Sequence, residues 1–215
     1  ENENTNIHYQ NLTSFAKDTF QVEDIIYRWS TQDCMTMDGV PYIGNLTSRS
    51  PNLYVATGFG KWGISNGTVA GMLLTDLITK GESPWAPVYN PSRFSSAASI
   101  VNFIVQNATV AKHFIDGKLA APESVEIEKG EARIVEVEGK KVGAYRDEQG
   151  QLHMVDTTCT HMGCELTWND AERTWDCPCH GSRFTYEGDI VEGPATNRLH
   201  HAKGDPNTVE PNVFK

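Results

Sequence analysis

The chain has 215 residues, enough for one large domain or two small ones. With 39% hydrophobic and 21% charged residues it has the make-up of an ordinary globular protein, and it holds no apolar run of the roughly 18 residues that a membrane-spanning helix needs. The net charge of −10 is uneven: residues 1–118 carry 10 acids and 8 bases, giving −2, and residues 119–215 carry 18 acids and 10 bases, giving −8. That sign disfavours a nucleic-acid partner and predicts that a partner docking on the second half presents positive charge. The chain starts at Glu1 with no apolar leader, which is read as a processed chain or a fragment of something longer, in the cytoplasm.

In chain order, Leu12, Phe15, Ala16 and Phe20 have the spacing of a short helix over 10–20, and residues 23–30 read as a strand that carries Arg28. Cys34 stands alone and is expected to be a small buried residue. Asn-x-Thr triplets beginning at Asn11, Asn45, Asn66 and Asn107 read as chance without a secretory signal. Tyr42-Ile43-Gly44 is a short extended piece, and Asn52 to Thr57 is an apolar strand entered through Pro51. Gly58, Gly60 and Gly63 then form a Gly-x-Gly-x-x-Gly turn that opens a helix over about 64–79, with Val69, Leu73 and Leu77 on one face and Gly81 as its C-terminal cap. A dinucleotide fold needs a second buried strand after that helix. Ser83-Pro84-Trp85-Ala86-Pro87 follows instead. The alternative role for the glycines is close helix–strand packing through Gly58, Gly67 and Gly71.

Asp38-Gly-Val-Pro41-Tyr-Ile-Gly44, Asn52-Leu-Tyr-Val-Ala-Thr-Gly58 and Gly67-Thr-Val-Ala-Gly71 together resemble the C-terminal end of flavin-dependent amino-acid oxidases of the D-amino-acid oxidase and glycine oxidase group. The resemblance covers about residues 20–90. It implies an α/β segment in which Gly58, Gly60, Gly63 and Ile64 place a helix N-terminus by the pyrimidine edge of FAD. The part of that family that holds the ADP half of FAD has no counterpart here, so FAD is expected only in the full-length protein, together with a small-molecule amine or amino-acid substrate.

Asn90-Pro91 opens a long helix over 91–116, apolar along Phe94, Ala97, Ala98, Val101, Ile104, Val105, Ala108, Ala111 and Ile115, widened by Ile100, Phe103, Val110 and Phe114, and ended by Gly117. Such a helix is expected to be buried on more than one side. Leu119 to Pro122 is a linker. From Glu123 the pattern has period two: Ile134–Val137, Val142–Tyr145 and Leu152–Val155, separated by Glu138-Gly139 and Asp147–Gly150 turns, form an antiparallel meander.

Two boxes follow, Cys159-Thr-His161-Met-Gly-Cys164 and Cys177-Pro-Cys179-His180-Gly-Ser182. Each offers one Cys/His pair on its own loop, and two thiolates with two imidazoles suit two different irons. Zinc is the alternative. It leaves Cys164, Cys179, Pro178 and the Gly181-Ser182 step without a role. His113, His153, His200 and His201 lack ligand spacing and read as surface or packing histidines.

The boxes resemble those of the Rieske family over about 123–215. The resemblance implies an all-β domain with a 2Fe-2S cluster, Cys159 and Cys177 on one iron and His161 and His180 on the other. It also implies a Cys164–Cys179 disulfide and Ser182 as a hydrogen-bond donor to a cluster sulfur, as in the respiratory type. That type carries Tyr where this chain has Phe184, which implies a mid-range potential. Gly193-Pro194 is similar to the loop that covers the cluster. The whole is therefore read as α+β in two domains: an α/β flavin-oxidoreductase segment at 1–118, a linker at 119–122 and an all-β antiparallel domain at 123–215. By itself the chain is expected to move electrons between a redox partner or flavin domain and an acceptor. The full-length protein is expected to be an oxidoreductase. The alternative is a stand-alone electron carrier or binding module. An oxygenase would need a two-His-one-carboxylate iron site, and no such set is visible.

Overall fold

The structure, a computed structural model, describes residues 4–93, 97–119 and 127–202, with side chains in the long fourth helix described from Ile104 onward. It forms two compact units, one of Glu1–Ser30 with Thr109–Lys215 and one of Thr31–Ala108. The architecture is α+β, with four helices and three antiparallel sheets among the described residues.

In the first unit, α1 (Asn6–Phe20) begins a turn earlier than its apolar spacing predicts and stops at Gln21, which takes a left-handed φ of 53°. The segment is held by side chains distant in sequence. Thr5 Oγ1 bonds Asn169 Oδ1 at 2.8 Å and accepts the Ala171 N–H at 3.1 Å, and the Tyr9 hydroxyl meets the Glu172 carboxylate. The strand expected over 23–30 does not form. That stretch has no regular structure and exposes Ile26, Tyr27 and Trp29. Arg28 stacks over the Tyr9 ring, 5.1 Å from its centroid.

The meander is present as β3 (Ala132–Val137), β4 (Lys140–Arg146) and β5 (Leu152–Asp156). Glu138 and Gly139 both take positive φ, 51° and 75°, the twist that a tight two-residue hairpin requires. A second sheet holds β6 (Thr167–Asn169), β7 (Thr174–Asp176), β8 (Arg183–Thr185) and β9 (Ile190–Glu192) in that order. Trp175 of β7 fills the core with Val155, Leu166, Phe184 and Leu199. A Cβ on Gly143 of β4 would stand 2.5 Å from the Trp175 ring, so the indole lies on bare backbone of the meander.

In the second unit, β1 (Tyr42–Asn45) pairs antiparallel with β2 (Tyr54–Thr57), and α2 (Gly63–Lys80) and the short α3 (Ala86–Tyr89) pack on them around Ile43, Ala70 and Leu73. Gly81 caps α2 at φ 78°, as its position predicts. The close packing expected at Gly67 and Gly71 is absent, since a Cβ at either would meet open space. Cys34 is exposed, not buried.

The last helix, α4 (Ala97–Leu119), differs from the expected 91–116. Asn90 Oδ1 accepts the Ser92 N–H at 2.8 Å and makes a turn there instead of a cap. Residues 94–96 and most of the expected linker at 119–122 lie outside the described residues. Gly117 lies inside the helix rather than ending it, and Ile104, Val105, Phe114 and Ile115 are exposed, so from Ile104 onward the helix is not buried on several sides. No helix among the described residues is long and apolar enough to cross a membrane.

Candidate metal centre

The two boxes fold to one pattern. In the first, the Cys159 N–H donates to the Cys164 carbonyl at 2.8 Å and the Gly163 N–H to the Cys159 carbonyl at 2.9 Å. In the second, the Cys177 N–H donates to the Ser182 carbonyl at 2.8 Å and the Gly181 N–H to the Cys177 carbonyl at 3.1 Å. Each loop turns through a glycine with positive φ, 76° at Gly163 and 79° at Gly181. Only glycine adopts that backbone without strain. Closing each loop tightly turns its first cysteine inward: Cys159 and Cys177 are buried in the core beside Trp175 and Phe184.

The histidines sit on the other side of the loops. His161 and His180 are exposed, with ring centroids 5.1 Å apart and planes at 87°. Met162 is exposed beside them.

The surroundings act on the two thiols in opposite directions. A hydrogen bond from the Cys177 thiol holds the Cys159 thiol well below its ordinary pKa, helped by the backbone N–H groups of His161 and Met162 and by the Ser182 hydroxyl, while burial opposes them. Cys177 is pushed up, first because it donates that bond and then by burial, and the N–H groups of Cys179 and His180 act in the opposite sense. Five donors thus converge on two sulfurs. Hydrogen bonds of this kind tune iron–sulfur ligands. Two buried sulfurs with donors around them and two imidazoles at the surface fit the donor set of a Rieske cluster.

Cys164 and Cys179 form a disulfide. The sulfurs of Cys164, Cys177 and Cys179 lie within 4.8 Å of one another. Two of them are bonded to each other, which leaves Cys177 as the free thiol of the three. Ser182 is fully buried, and besides facing Cys159 it accepts the Ala195 N–H at 3.0 Å. Thr160 Oγ1 donates to the Asn197 carbonyl at 2.5 Å. The loop after Gly193-Pro194 is therefore tied to both boxes. The sequence shows Thr160 inside its box but carries no sign of a partner 37 residues on.

The glycine turn expected to face a flavin lies in the second unit. Gly58 has φ 74° and Gly60 φ 55°, Gly63 opens α2, and Ile64 is exposed. A Cβ on Gly58 would stand 2.3 Å from Thr36 Cγ2, so that glycine is required by the close approach of the 36–38 loop. Arg93 fixes that loop with a two-pronged bond to Asp38, at 2.8 and 2.7 Å. His153, outside the boxes, pairs with Asp147 at 3.0 Å.

Residues 117–203 match the family model of the Rieske [2Fe-2S] domain, and residues 1–77 match that of the FAD dependent oxidoreductases. The chain is 50% identical over 194 residues to the putative Rieske 2Fe-2S iron-sulfur protein YhfW of Bacillus subtilis, a match that takes in 89% of this chain and 38% of that protein. It is 32% identical over 100 residues to the cytochrome b6-f complex iron-sulfur subunit of Chlorobaculum thiosulfatiphilum, 46% of this chain and 54% of that subunit. Among solved structures, the plasma membrane Rieske protein PetC3 of Synechocystis PCC 6803 is 32% identical, with a TM-score of 0.31 over 33% of this chain and 72% of that one. The chain thus spans about half or less of the length of these two curated relatives.

Proposed function

We propose that this chain, a flavin-oxidoreductase segment followed by a Rieske [2Fe-2S] domain, carries single electrons between a flavin and an external acceptor through a cluster held by Cys159, Cys177, His161 and His180. The observation that carries the reading is the pair of buried sulfurs under five donors, backed by two exposed imidazoles. The cluster, when bound, supplies a one-electron couple. The residues do the rest. Cys159 and Cys177 keep its inner side dry, and Ser182 together with the backbone N–H groups stabilises negative charge on sulfur. His161 and His180 offer the short way out to solvent. In the full-length protein the Gly58–Ile64 turn would help hold a flavin, which would supply the oxidation of an amine or amino-acid substrate. A redox partner accepts the electrons singly, in the cytoplasm.

The test is the full-length protein in parent and His161→Ala forms. The parent is expected to show flavin absorbance and the paramagnetic signal of a reduced cluster after addition of an oxidisable amine. His161→Ala is expected to retain the flavin and its reduction by amine but to lose the cluster signal. A full-length protein with cluster and no flavin would make this a stand-alone carrier, and flavin reduction that never reaches the cluster would refute the coupling.

A further inference from the structure

The end of α4 lies against the disulfide side of the two boxes. A Cβ on Gly117 would stand 2.8 Å from Glu165 Cβ and 3.2 Å from its Cγ, so helix backbone touches that side chain directly. Glu165, next to Cys164 in the chain, is buried. One carboxylate oxygen accepts from Thr157 Oγ1 at 2.9 Å, and the other pairs with Lys118. Lys141 Nζ, from β4, donates to the carbonyls of Gly117 at 2.5 Å and Lys118 at 3.1 Å. These are acceptors that a helix leaves open at its end, where a cation is also favoured. One turn back, the Phe114 ring comes within 4.0 Å of where a Cβ on Gly163 would lie. A further turn back, the Val110 carbonyl stands 4.0 Å from Cys179 Sγ.

The two sulfurs of the disulfide are not equally open. Cys164 is 2% exposed, whereas Cys179 is half-buried. Reduction of a disulfide requires a thiolate to reach one of its sulfurs. With Cys164 enclosed, the approach is to Cys179, and there α4 stands.

We propose that the last turns of α4, latched by Glu165, Lys118 and Lys141, cover the Cys164–Cys179 disulfide and keep it from thiol reductants. Attack occurs only when the helix end lifts. A thiolate then bonds to Cys179 Sγ and displaces the Cys164 thiolate. A second reductant thiolate bonds to the first and releases the Cys179 thiolate, so two reductant thiols become one disulfide. The cover gives a disulfide beside the cluster a means to persist among cellular thiols, and it does not depend on the flavin.

Gly117→Ala separates this idea from a general effect on stability. Alanine raises helix propensity, yet its Cβ pushes the helix away from Glu165. Lys118→Ala removes the ion pair from a half-exposed position. Dithiothreitol is the probe, with acid quench, alkylation and mass measurement of Cys164 and Cys179 in the cluster-loaded chain. Both variants are expected to be reduced about tenfold faster than the parent, the equivalent of about 1.4 kcal/mol of lost latch. Val135→Ala, in the core of the meander, serves as a control matched for loss of melting temperature, and is expected to leave the rate unchanged. Equal rates in all four proteins would overturn the proposal, as would a Val135→Ala rate that rises as much as the other two.

Discussion

Arg183 places its Nη1 2.8 Å from the carbonyl oxygen of Ser30. The guanidinium is 2% exposed and lies among the carboxylates of Asp176 at 3.2 Å, Glu172 at 3.4 Å and Glu192 at 4.0 Å. Arg183 directly follows Ser182, and Glu172 also meets Tyr9 of α1. One buried cation thus joins the second box to the segment that precedes the second unit.

Replacing that cation by a neutral side chain of similar bulk, Arg183→Met, leaves three carboxylates without their counter-charge. The expected loss is about 3–5 kcal/mol, read as a lower urea midpoint. The freed 21–30 stretch should be cut sooner in limited proteolysis. A midpoint equal to that of the parent would mean the carboxylates are solvated without the arginine.

Ser182→Ala removes one donor from Cys159 and the acceptor of the Ala195 N–H. Reduction adds negative charge to the cluster, so a lost donor lowers the potential. A bond to a charged group is worth about 1.5–3 kcal/mol gross, and the change between redox states corresponds to up to roughly 100 mV. A redox titration reads it directly, and an unchanged potential removes the serine from the tuning.

Phe184 is fully buried in the core that holds Cys159 and Cys177. In Phe184→Tyr the new hydroxyl is expected to donate to a ligand sulfur and raise the potential with the cluster retained. If the hydroxyl finds no acceptor, the potential stays put and thermal stability drops by about 1–3 kcal/mol instead.

Cys164→Ser cuts the covalent link between the boxes, which closes a separation of 15 residues. In the loop-entropy picture such a link contributes about 3 kcal/mol. The variant should bleach its visible iron–sulfur absorbance several-fold faster in the presence of a chelator, and equal bleaching would show the link to be dispensable.

Acid should weaken the meander end through Asp147 and Glu131. The bond to His153 is the largest cause that holds Asp147 below its ordinary 3.8, and the Glu128 N–H, followed by Arg133, holds Glu131 below its ordinary 4.5. Because the folded values are the lower ones, the stabilisation is complete above the unfolded carboxylate range and is lost as pH falls through the folded values. Asp147→Asn should therefore flatten the fall in urea midpoint between about pH 5 and about pH 3. A slope identical to the parent's would exclude Asp147 as a contributor.

The cluster boxes and the meander were legible because they are local. Cys/His spacing, a two-residue period and the Glu138-Gly139 turn each lie within a few residues. The Asp24–Ser30 stretch had strand composition but no partner strand, and composition alone cannot supply one. Gly117 looked like a helix stop because the sequence does not show Glu165 pressed against it. The cage around Arg183 was hidden for the same reason, since its carboxylates come from three separated positions and Ser30 from a fourth. Cys34 was expected inside from residue type, but the irregular 31–38 stretch leaves it at the surface.

Two parts of a fused chain that share only a tether can be exchanged between lineages with little penalty. The grip of Arg183 on Ser30 removes that freedom. A recombination crossover placed between residues 30 and 109 would bring in a foreign Ser30 region, and the arginine cage would have to accept it. The segment ahead of the second unit and the cluster box belong to one compact unit, and a transplantable cassette must carry the α1 region along with the cysteines and histidines.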